Sequence, residues 1–187
     1  IEYFQKKYNF PMYDNLKKIK GTQVDLISIS TPTSTHLSIV SEVLRYVKVK
    51  TILLEKTSGV SIHEYKKIDK LCKNKSVDFL TNYQRIFLPS VYKIKQKISK
   101  RYYLKPEKIH IYYSGKFFHS CSHFISLIIY WFGYSQPELI IKKPQKIEVK
   151  FKNILVIFFK VKKSNVYNNM IYIKFINGNL KWYRGKD

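Results

Sequence analysis

Residues 24–36, which read Val-Asp-Leu-Ile-Ser-Ile-Ser-Thr-Pro-Thr-Ser-Thr-His, decide the fold. The β-branched run at their start predicts a buried strand. The Thr-Pro step ends that strand, because proline lacks an N–H and pushes its neighbour into an extended backbone. Apolar residues then recur at helical spacing as far as Val47, with Ser34 or Thr35 as candidate N-caps. A second apolar run at 51–54 returns as a strand, so the pattern predicts one β-α-β crossover.

A second crossover follows the first. Ser61-Ile62-His63-Glu64 has the spacing of a capping box, and the helix that it opens runs to Cys72 before a third strand at 77–80. Strands that alternate with helices predict a parallel sheet, and parallel sheets bind ligands outside the carboxyl ends of their strands. We therefore expect the loops 31–36, 55–59 and 82–85 to converge on one crevice.

Beyond Gly133 the sequence predicts an antiparallel sheet. Short strand candidates lie at 138–141, 147–151, 154–159 and 170–176, and Asn177-Gly178-Asn179 is a hairpin-turn signal. Alternation of polar and apolar residues predicts one solvated face for this sheet. The fold class predicted is therefore α/β, with a parallel sheet followed by an α+β domain that has an open antiparallel sheet.

The charge of the chain is large and uneven. There are 35 basic and 12 acidic side chains, a formal net charge of +23, and residues 79–187 hold 21 of the basic and 4 of the acidic ones. Two interpretations are nucleic-acid binding, with tyrosines such as Tyr102 and Tyr112 for stacking, and attraction of an anionic substrate such as a nucleotide sugar. Only four basic residues are arginine, the side chain that best reads phosphates and bases. This composition favours compositional drift and disfavours a nucleic-acid partner.

The cysteine content and the hydropathy of the chain indicate its cellular location. The two cysteines, Cys72 and Cys121, are far apart and form no Cys-x-x-Cys pair, which argues against a disulfide framework and a thiolate zinc site. The longest apolar run, 124–132, is too short to span a bilayer, and no signal peptide is visible at Ile1. We expect a cytoplasmic protein without a membrane partner.

Four blocks of this sequence, taken in order, resemble a known family. They are Asp25 to Pro32 with His36, then Glu55-Lys56, then Asn82 to Arg85 with Phe87 and Pro89, then Gly115 to His123 followed by Leu127, Trp131 and Gly133. The chain is similar here to the Gfo/Idh/MocA family of NAD(P)-dependent oxidoreductases, named for glucose-fructose oxidoreductase and inositol dehydrogenase. The resemblance implies a partial Rossmann-like, dinucleotide-binding domain at 1–83 and a substrate and oligomerisation domain at 84–187.

The resemblance also implies roles for single residues. Lys56 would lie near the nicotinamide and the reacting hydroxyl, and His123 would be the acid/base that takes the hydroxyl proton. The expected cofactor is NAD or NADP, in a cleft lined by Thr31, Pro32, His36, Glu55, Asn82 and Arg85. The implied reaction is hydride transfer from a sugar or polyol, including nucleotide-linked or other anionic sugars, in a homo-oligomer formed through the antiparallel sheet.

Two positions depart from the family pattern. Thr57 stands where the family motif Glu-Lys-Pro has proline, so a fixed φ beside Lys56 is lost. His119, the third catalytic candidate, stands where the family has an aspartate four residues before His123, which puts both imidazoles on one helix face. A second histidine disfavours charging both rings. This pair could share a metal ion, but the sequence offers no third ligand, so a substrate pocket is favoured.

The glycine-rich phosphate loop of the family is missing before the first strand. Glycines stand at 21, 59, 115, 133, 178 and 185, and no two are spaced as Gly-x-Gly requires. We expect a chain that is truncated at its N-terminus and binds NAD poorly. Two functions stay open: an impaired NAD(P)-dependent sugar or polyol oxidoreductase, and a degenerate, non-catalytic family member that serves as a binding or assembly module.

Overall fold

A computed structural model describes residues 2–133, 136–151, 154–161 and 169–183 of the chain. The chain divides into two compact units, Ile1–Asn82 and Tyr83–Asp187. Each unit has its own sheet and its own hydrophobic core.

The first unit is built on a three-stranded parallel sheet in the order β1-β2-β3. Its helices and strands are α1 (Glu2–Tyr8), β1 (Gln23–Ile29), α2 (His36–Tyr46), β2 (Lys48–Glu55), α3 (Ile62–Lys73) and β3 (Asp78–Asn82). Short 3₁₀ turns occupy Leu16–Ile19 and Thr33–Thr35. The predicted Rossmann-like parallel sheet is therefore confirmed.

The core of the first unit lies on one face of this sheet. Residues that alternate along β1 and β2 join α2 and α3 in one buried cluster: Ile29, Val40, Val43, Ile52, Leu54, Ile68, Cys72 and Val77. Burial of one such aliphatic side chain contributes about 1.5–3 kcal/mol. On the other face, Leu26 and Leu80 remain 54% and 55% exposed. The cluster holds the carboxyl ends of the strands at one edge.

The start of α3 confirms the capping box, with one difference. The Glu64 N–H donates to Ser61 Oγ at 3.2 Å, as the motif predicts. The Glu64 carboxylate, however, accepts from the N–H of Val60 at 2.5 Å, one residue before the N-cap. The N-cap predicted for α2 at Ser34 or Thr35 is confirmed at Thr35. Thr35 makes no side-chain cap hydrogen bond, because the hydroxyl donates to the Pro32 carbonyl at 2.8 Å.

The second unit is built on a six-stranded sheet in the order β5-β6-β7-β4-β8-β9. Its elements are α4 (Pro89–Ser99), β4 (Pro106–Tyr113), α5 (Phe117–Phe132), β5 (Pro137–Lys143), β6 (Lys146–Phe151), β7 (Ile154–Lys160), β8 (Met170–Phe175) and β9 (Gly178–Tyr183). A 3₁₀ turn at Gln84–Phe87 precedes α4. Within the described residues, no helix has the length and apolar character needed to cross a membrane.

The sheet of the second unit is mixed rather than wholly antiparallel. β4 lies at its centre and pairs parallel with β7 and antiparallel with β8, while the remaining pairs are antiparallel. The helix α5 follows β4 directly, and a helical crossover of this kind allows a later strand, here β7, to run parallel to β4. The strand candidates from 138 onward are confirmed, but β4 and β9 were not among them.

The core of this unit lies between one face of the sheet and α4 and α5. Buried residues recur along α5 at helical spacing: Cys121, Phe124, Leu127, Ile128 and Trp131. They meet alternate residues of the strands, among them Ile109, Ile111, Phe158, Ile171 and Ile173. Polar and half-buried residues of the strands lie on the opposite face, as the alternation predicts.

The last hairpin turns one residue earlier than predicted. Ile176 and Asn177 form the turn, and Gly178 already pairs with Phe175 in the ladder. The Asn177 side chain accepts from the Leu104 N–H at 2.8 Å and donates to the Tyr102 carbonyl at 2.9 Å. These contacts from 73 and 75 residues away fix the asparagine inside the turn.

Candidate active site

The carboxyl ends of β2 and β3 bring two predicted site residues together. Glu55 and Asn82 are register partners in the parallel pair. The Asn82 amide donates to the Glu55 carboxylate at 3.3 Å. Both side chains are half-buried at the edge of the sheet, where ligands of parallel sheets bind. Their pairing leaves further lone pairs of the carboxylate available to a ligand.

Lys56 follows Glu55 in a loop that three contacts hold to the rest of the unit. The Ser58 hydroxyl is buried and hydrogen-bonded to the Thr81 hydroxyl of β3. A side chain at Gly59 would approach the backbone nitrogen of Tyr65 to 2.9 Å, so only glycine allows this packing on α3. The Val60 N–H is bound by Glu64. Lys56 is half-buried, and its peptide bond to Thr57 is cis. The loop therefore presents the lysine from a fixed backbone.

The turn after β1 holds the predicted residues Thr31, Pro32 and His36. His36 begins α2 and is fully buried, and its Nε2 lies 2.9 Å from the Thr31 carbonyl oxygen. That bond requires a proton on Nε2, so the imidazole links the helix to the turn. The Thr31 and Thr35 hydroxyl oxygens lie 2.9 Å apart, within hydrogen-bond distance. In this structure His36 holds the turn in place, while Thr31 lines a cavity.

A cavity of about 510 Å³ lies beside the carboxyl end of β1. Its lining comprises Asp14, Asn15, Leu16, Ile27, Ser28, Ile29, Ser30, Thr31, Ile39, Glu42 and Val43. The Lys18 ammonium, 2.9 Å from the Asp14 carboxylate, lowers the pKa of that carboxyl. The described lining thus offers carboxylates and hydroxyls, and no lysine or arginine. This chemistry suits a ligand rich in hydroxyl groups better than a phosphate.

The two predicted histidines of the second unit lie on α5 but differ in environment. His119 is exposed, whereas His123 is 5% exposed. The ring of Tyr83 meets the His123 imidazole edge-on, with 6.1 Å between centroids, and burial raises the pKa of the Tyr83 phenol. Of these two histidines, His119 is exposed to solvent and His123 is buried.

Arg85 and the cysteines are placed by packing. The Arg85 guanidinium lies 5.9 Å from the ring centroid of Phe124, in the 3₁₀ turn before α4. Cys72 and Cys121 are buried free thiols, and burial raises the pKa of Cys121 to about 12. Among the described residues, no group of three or more histidine, cysteine, aspartate or glutamate side chains is placed to hold a metal ion.

The strand ends of the first unit offer polar groups to a ligand, while the turns after β1 and β2 lack glycine. Thr31, Lys56 and Asn82 offer hydroxyl, ammonium and amide groups at the carboxyl ends of the parallel strands, where ligands of such sheets bind. A pyrophosphate needs a glycine-rich turn between strand and helix, so that the backbone can approach it closely. The turns that follow β1 and β2 in this chain read Ser30-Thr31-Pro32 and Lys56-Thr57-Ser58, and neither contains glycine.

Several residues that shape this edge were missed by sequence patterns. Ser58, Thr81 and Gly59 fix the loop that carries Lys56, and Asp14 and Glu42 line the cavity. The capping box at 61–64 was the one available signal, because it placed Glu64 beside the loop. The other contacts join residues distant in sequence, and no local pattern marks them.

The first unit matches a protein-family model. Residues 1–83 match the GFO_IDH_MocA family model, described as an oxidoreductase family with an NAD-binding Rossmann fold. A comparison with curated proteins finds no match. The resemblance drawn from the sequence motifs is therefore confirmed for this part of the chain.

Solved structures match the fold of the whole chain at low sequence identity. A dehydrogenase (MviM) from Clostridium difficile has a TM-score of 0.77 at 15% identity, with 98% of this chain and 64% of that chain covered. Myo-inositol 2-dehydrogenase from Lactobacillus plantarum gives 0.77 at 16% identity, with 97% and 64% covered. The WlbA dehydrogenase from Bordetella pertussis, in complex with NADH and UDP-GlcNAcA, gives 0.78 at 12% identity, with 96% and 62% covered. The chain thus spans less than two thirds of each of these structures.

Proposed function

We propose that this chain, whose residues 1–83 carry the NAD-binding Rossmann fold of the Gfo/Idh/MocA oxidoreductase family, acts as an NAD(P)-dependent oxidoreductase on a hydroxyl group of a sugar or polyol. The observation that carries the proposal is the edge formed by Glu55, Lys56 and Asn82. It combines a hydrogen-bonded carboxylate–amide pair with a half-buried lysine on a fixed loop. This edge is where parallel sheets place their ligands.

Each residue of the first unit would have a limited task. A bound nicotinamide supplies the hydride acceptor. Lys56, with three N–H donors and no acceptor, would bind the reacting hydroxyl oxygen and stabilise the negative charge that develops there. Glu55 and Asn82 would orient the ligand beside it. In the second unit, His123 is proposed as the acid/base for the hydroxyl proton, and His119 as its exposed neighbour on α5.

The proposed substrate class is supported by chemistry at the first unit. The cavity beside β1 has carboxylates and hydroxyls in its described lining, and such groups accept and donate hydrogen bonds to sugar hydroxyls. Two of the matched structures are named for myo-inositol and for a complex with a nucleotide sugar. The strong positive charge of residues 79–187 would favour an anionic sugar. The described lining of the cavity, however, contains no lysine or arginine that could pair with the anionic group of such a sugar. A cytoplasmic location is part of the same proposal.

Calorimetric titration of the chain with NAD, NADH, NADP and NADPH tests the cofactor assignment. Because the turns after β1 and β2 lack glycine, we expect weak binding, with a Kd of about 1 mM, equivalent to about 4 kcal/mol. Replacement Lys56→Met should weaken binding severalfold at the nicotinamide end. Lys66→Met on the exposed side of α3 makes the same charge change and should leave the Kd unaltered. Heat signals from none of the four nucleotides would instead support the non-catalytic binding or assembly module.

We also propose a homo-oligomer through the open face of the six-stranded sheet. Two features of that face support a second copy of the chain as its occupant. Its centre is aromatic, and it carries lysine–glutamate pairs, such as Lys174 with Glu107 at 3.0 Å and Lys150 with Glu138 at 3.4 Å. A surface that carries both signs of charge can match itself across a twofold axis.

Tyr112→Lys should dissociate this oligomer. Tyr112 stacks on Phe159 at 5.1 Å between centroids, near the centre of the face, so a lysine there would remove aromatic area and add charge. Loss of a central aromatic contact costs an interface about 2 kcal/mol or more, a Kd increase of about thirtyfold. Sedimentation velocity on wild type and variant measures the change. Tyr92→Lys, at a tyrosine of α4 that is 54% exposed, is the matched control. A wild-type chain that sediments as a monomer would contradict the proposal.

A further inference from the structure

The open face of the six-stranded sheet carries one histidine inside an aromatic cluster. His110 lies on the central strand β4, on the side opposite the buried Ile109 and Ile111. Its ring is 5.4 Å from Phe159, 5.9 Å from Tyr172 and 6.4 Å from Tyr112, measured between centroids. These four side chains are named the His110 patch. Ring contacts of this kind are favourable for a neutral imidazole in an apolar setting.

The charged groups around the patch leave His110 without an anion of its own. Lys108 precedes it on β4, Lys174 lies on β8, and Lys146 lies on β6 over the Phe159 ring at 5.9 Å. Each nearby carboxylate already has a lysine partner: Glu148 pairs with Lys146, and Glu107 pairs with Lys174. The phenols of Tyr112 and Tyr172 also face His110, and Lys181 lies opposite Tyr172 on β9. A proton on His110 would therefore enter a net positive setting, because these lysines outnumber the two carboxylates, each of which is already paired.

The imidazole itself is adapted to the neutral form. Nε2 of His110 is buried and has no hydrogen-bond partner among the described residues. Burial, together with the Lys108 and Lys146 charges, lowers the pKa of His110 from its usual range. At neutral pH the ring is uncharged and can be covered by another apolar surface at little cost.

We propose that the His110 patch is a pH-dependent contact between two copies of this chain, closed while His110 is neutral and opened when His110 takes up a proton. This inference rests on the oligomer proposed above. It assigns to His110 the pH dependence of the association. Covering the patch with a second copy removes water from His110 and brings further lysines near it. Both changes disfavour the imidazolium in the oligomer more than in the free chain.

The sign follows from proton linkage. The free chain binds protons at His110 more readily than the oligomer does, so acidification favours the free chain. Association is complete above the pKa of His110 in the free chain and weakens as the pH falls through it. With one such group in each copy, the dimer Kd should rise by about tenfold or more on going from about pH 7.5 to about pH 5.

A polyanion is the competing occupant of this face, and the ion pairs disfavour it. The second unit has three described acidic residues, Glu107, Glu138 and Glu148, and all three neutralise lysines of this sheet. A nucleic-acid surface would keep those lysines available for phosphates. An aromatic face that also carries lysine–glutamate pairs instead suits a surface of the same kind.

Sedimentation velocity on the full chain at the two pH values tests the proposal. Wild type should be dimeric near neutral pH and dissociate on acidification. His110→Phe keeps the ring contacts and cannot take up a proton, so its dimer should persist at about pH 5. His63→Phe, at an exposed histidine of α3, is the matched control and should dissociate like wild type. Fluorescence of the buried Trp131 and Trp182 at each pH verifies that every variant remains folded.

Each outcome is decisive. A wild-type monomer near neutral pH overturns the patch contact together with the proposed oligomer, while nucleotide titration still tests the oxidoreductase separately. A dimer that resists acid overturns the switch and leaves the oligomer standing. Acid dissociation that is equal in wild type and His110→Phe assigns the effect to another group and overturns the role of His110. Addition of a single-stranded oligonucleotide at neutral pH that separates the dimer would favour the polyanion instead.

Discussion

Trp131→Ala is expected to lower the free energy of unfolding of the second unit by about 3–5 kcal/mol. Trp131 is 1% exposed and belongs to the core between α5 and the six-stranded sheet. Its indole N–H donates to the Val91 carbonyl of α4 at 3.1 Å, and so joins the two helices. Alanine would leave a large cavity and remove the donor from a buried carbonyl.

Urea denaturation followed by far-UV circular dichroism measures the loss. Trp131→Phe should cost less, because most of the apolar volume stays and only the indole donor is removed. Ile129→Ala, two residues away on α5 and 38% exposed, is the matched control and should cost about 1 kcal/mol or less. Equal losses for Trp131→Ala and Ile129→Ala would show that Trp131 does not fix α5 on α4. Since whole domains are stable by about 5–15 kcal/mol, the expected loss is large enough to unfold part of the population.

The first unit was predictable because its signals are local. The proline after the first strand, the helical spacing through Val47 and the capping box at 61–64 each act within a few residues. Together they yield β1-α2-β2-α3-β3, and parallel order follows from the crossovers alone. Glu55 and Asn82 were expected at one edge for the same reason, and the register pairs them.

The second unit was less predictable because its organisation depends on distant contacts. β4 begins at Pro106, and its alternation of Ile109 and Ile111 with Lys108 and His110 is typical of a half-buried strand. Only its pairing with β7 and β8 shows that it is central. The final turn shifted because Asn177 bonds the backbone at 102–104, a contact that no turn propensity contains.

The candidate site was also predictable only in part. Residue types at the strand ends could be read from the sequence, whereas the contacts that hold them could not. Ser58 with Thr81, and Gly59 against Tyr65, are tertiary contacts that appear only when β3 and α3 are in place. His36 shows that position in the sequence does not reveal every role of a residue. Its position suggested a cofactor residue, but its burial and its bond to the Thr31 carbonyl give it a structural role as well.

Lys56→Met is expected to lower kcat/KM for hydroxyl oxidation by about 10²–10⁴-fold, the range lost with a group that acts on a reacting proton or charge. The reason is the position of this lysine after the central strand of the parallel sheet, on a loop fixed by Ser58, Gly59 and Val60. Methionine fills similar space without charge or N–H donors, so the loop should keep its packing. The effect should fall on kcat more than on KM, because the alkoxide charge develops only in the transition state.

The assay follows reduction of NAD or NADP by the full chain with myo-inositol and with UDP-GlcNAcA as probe substrates. Lys56→Arg keeps the charge and should retain more activity than Lys56→Met, although its planar fork fits a single oxygen less well. Lys66→Met, at an exposed lysine of α3, controls for the loss of one positive charge from the unit. Turnover that survives Lys56→Met within about threefold would remove Lys56 from the reaction, since that ratio is worth only about 0.6 kcal/mol. No turnover by wild type with either probe, alongside measurable nucleotide binding, would place the chain among binding modules. In that case the Glu55–Asn82 edge would act as a nucleotide contact without chemistry.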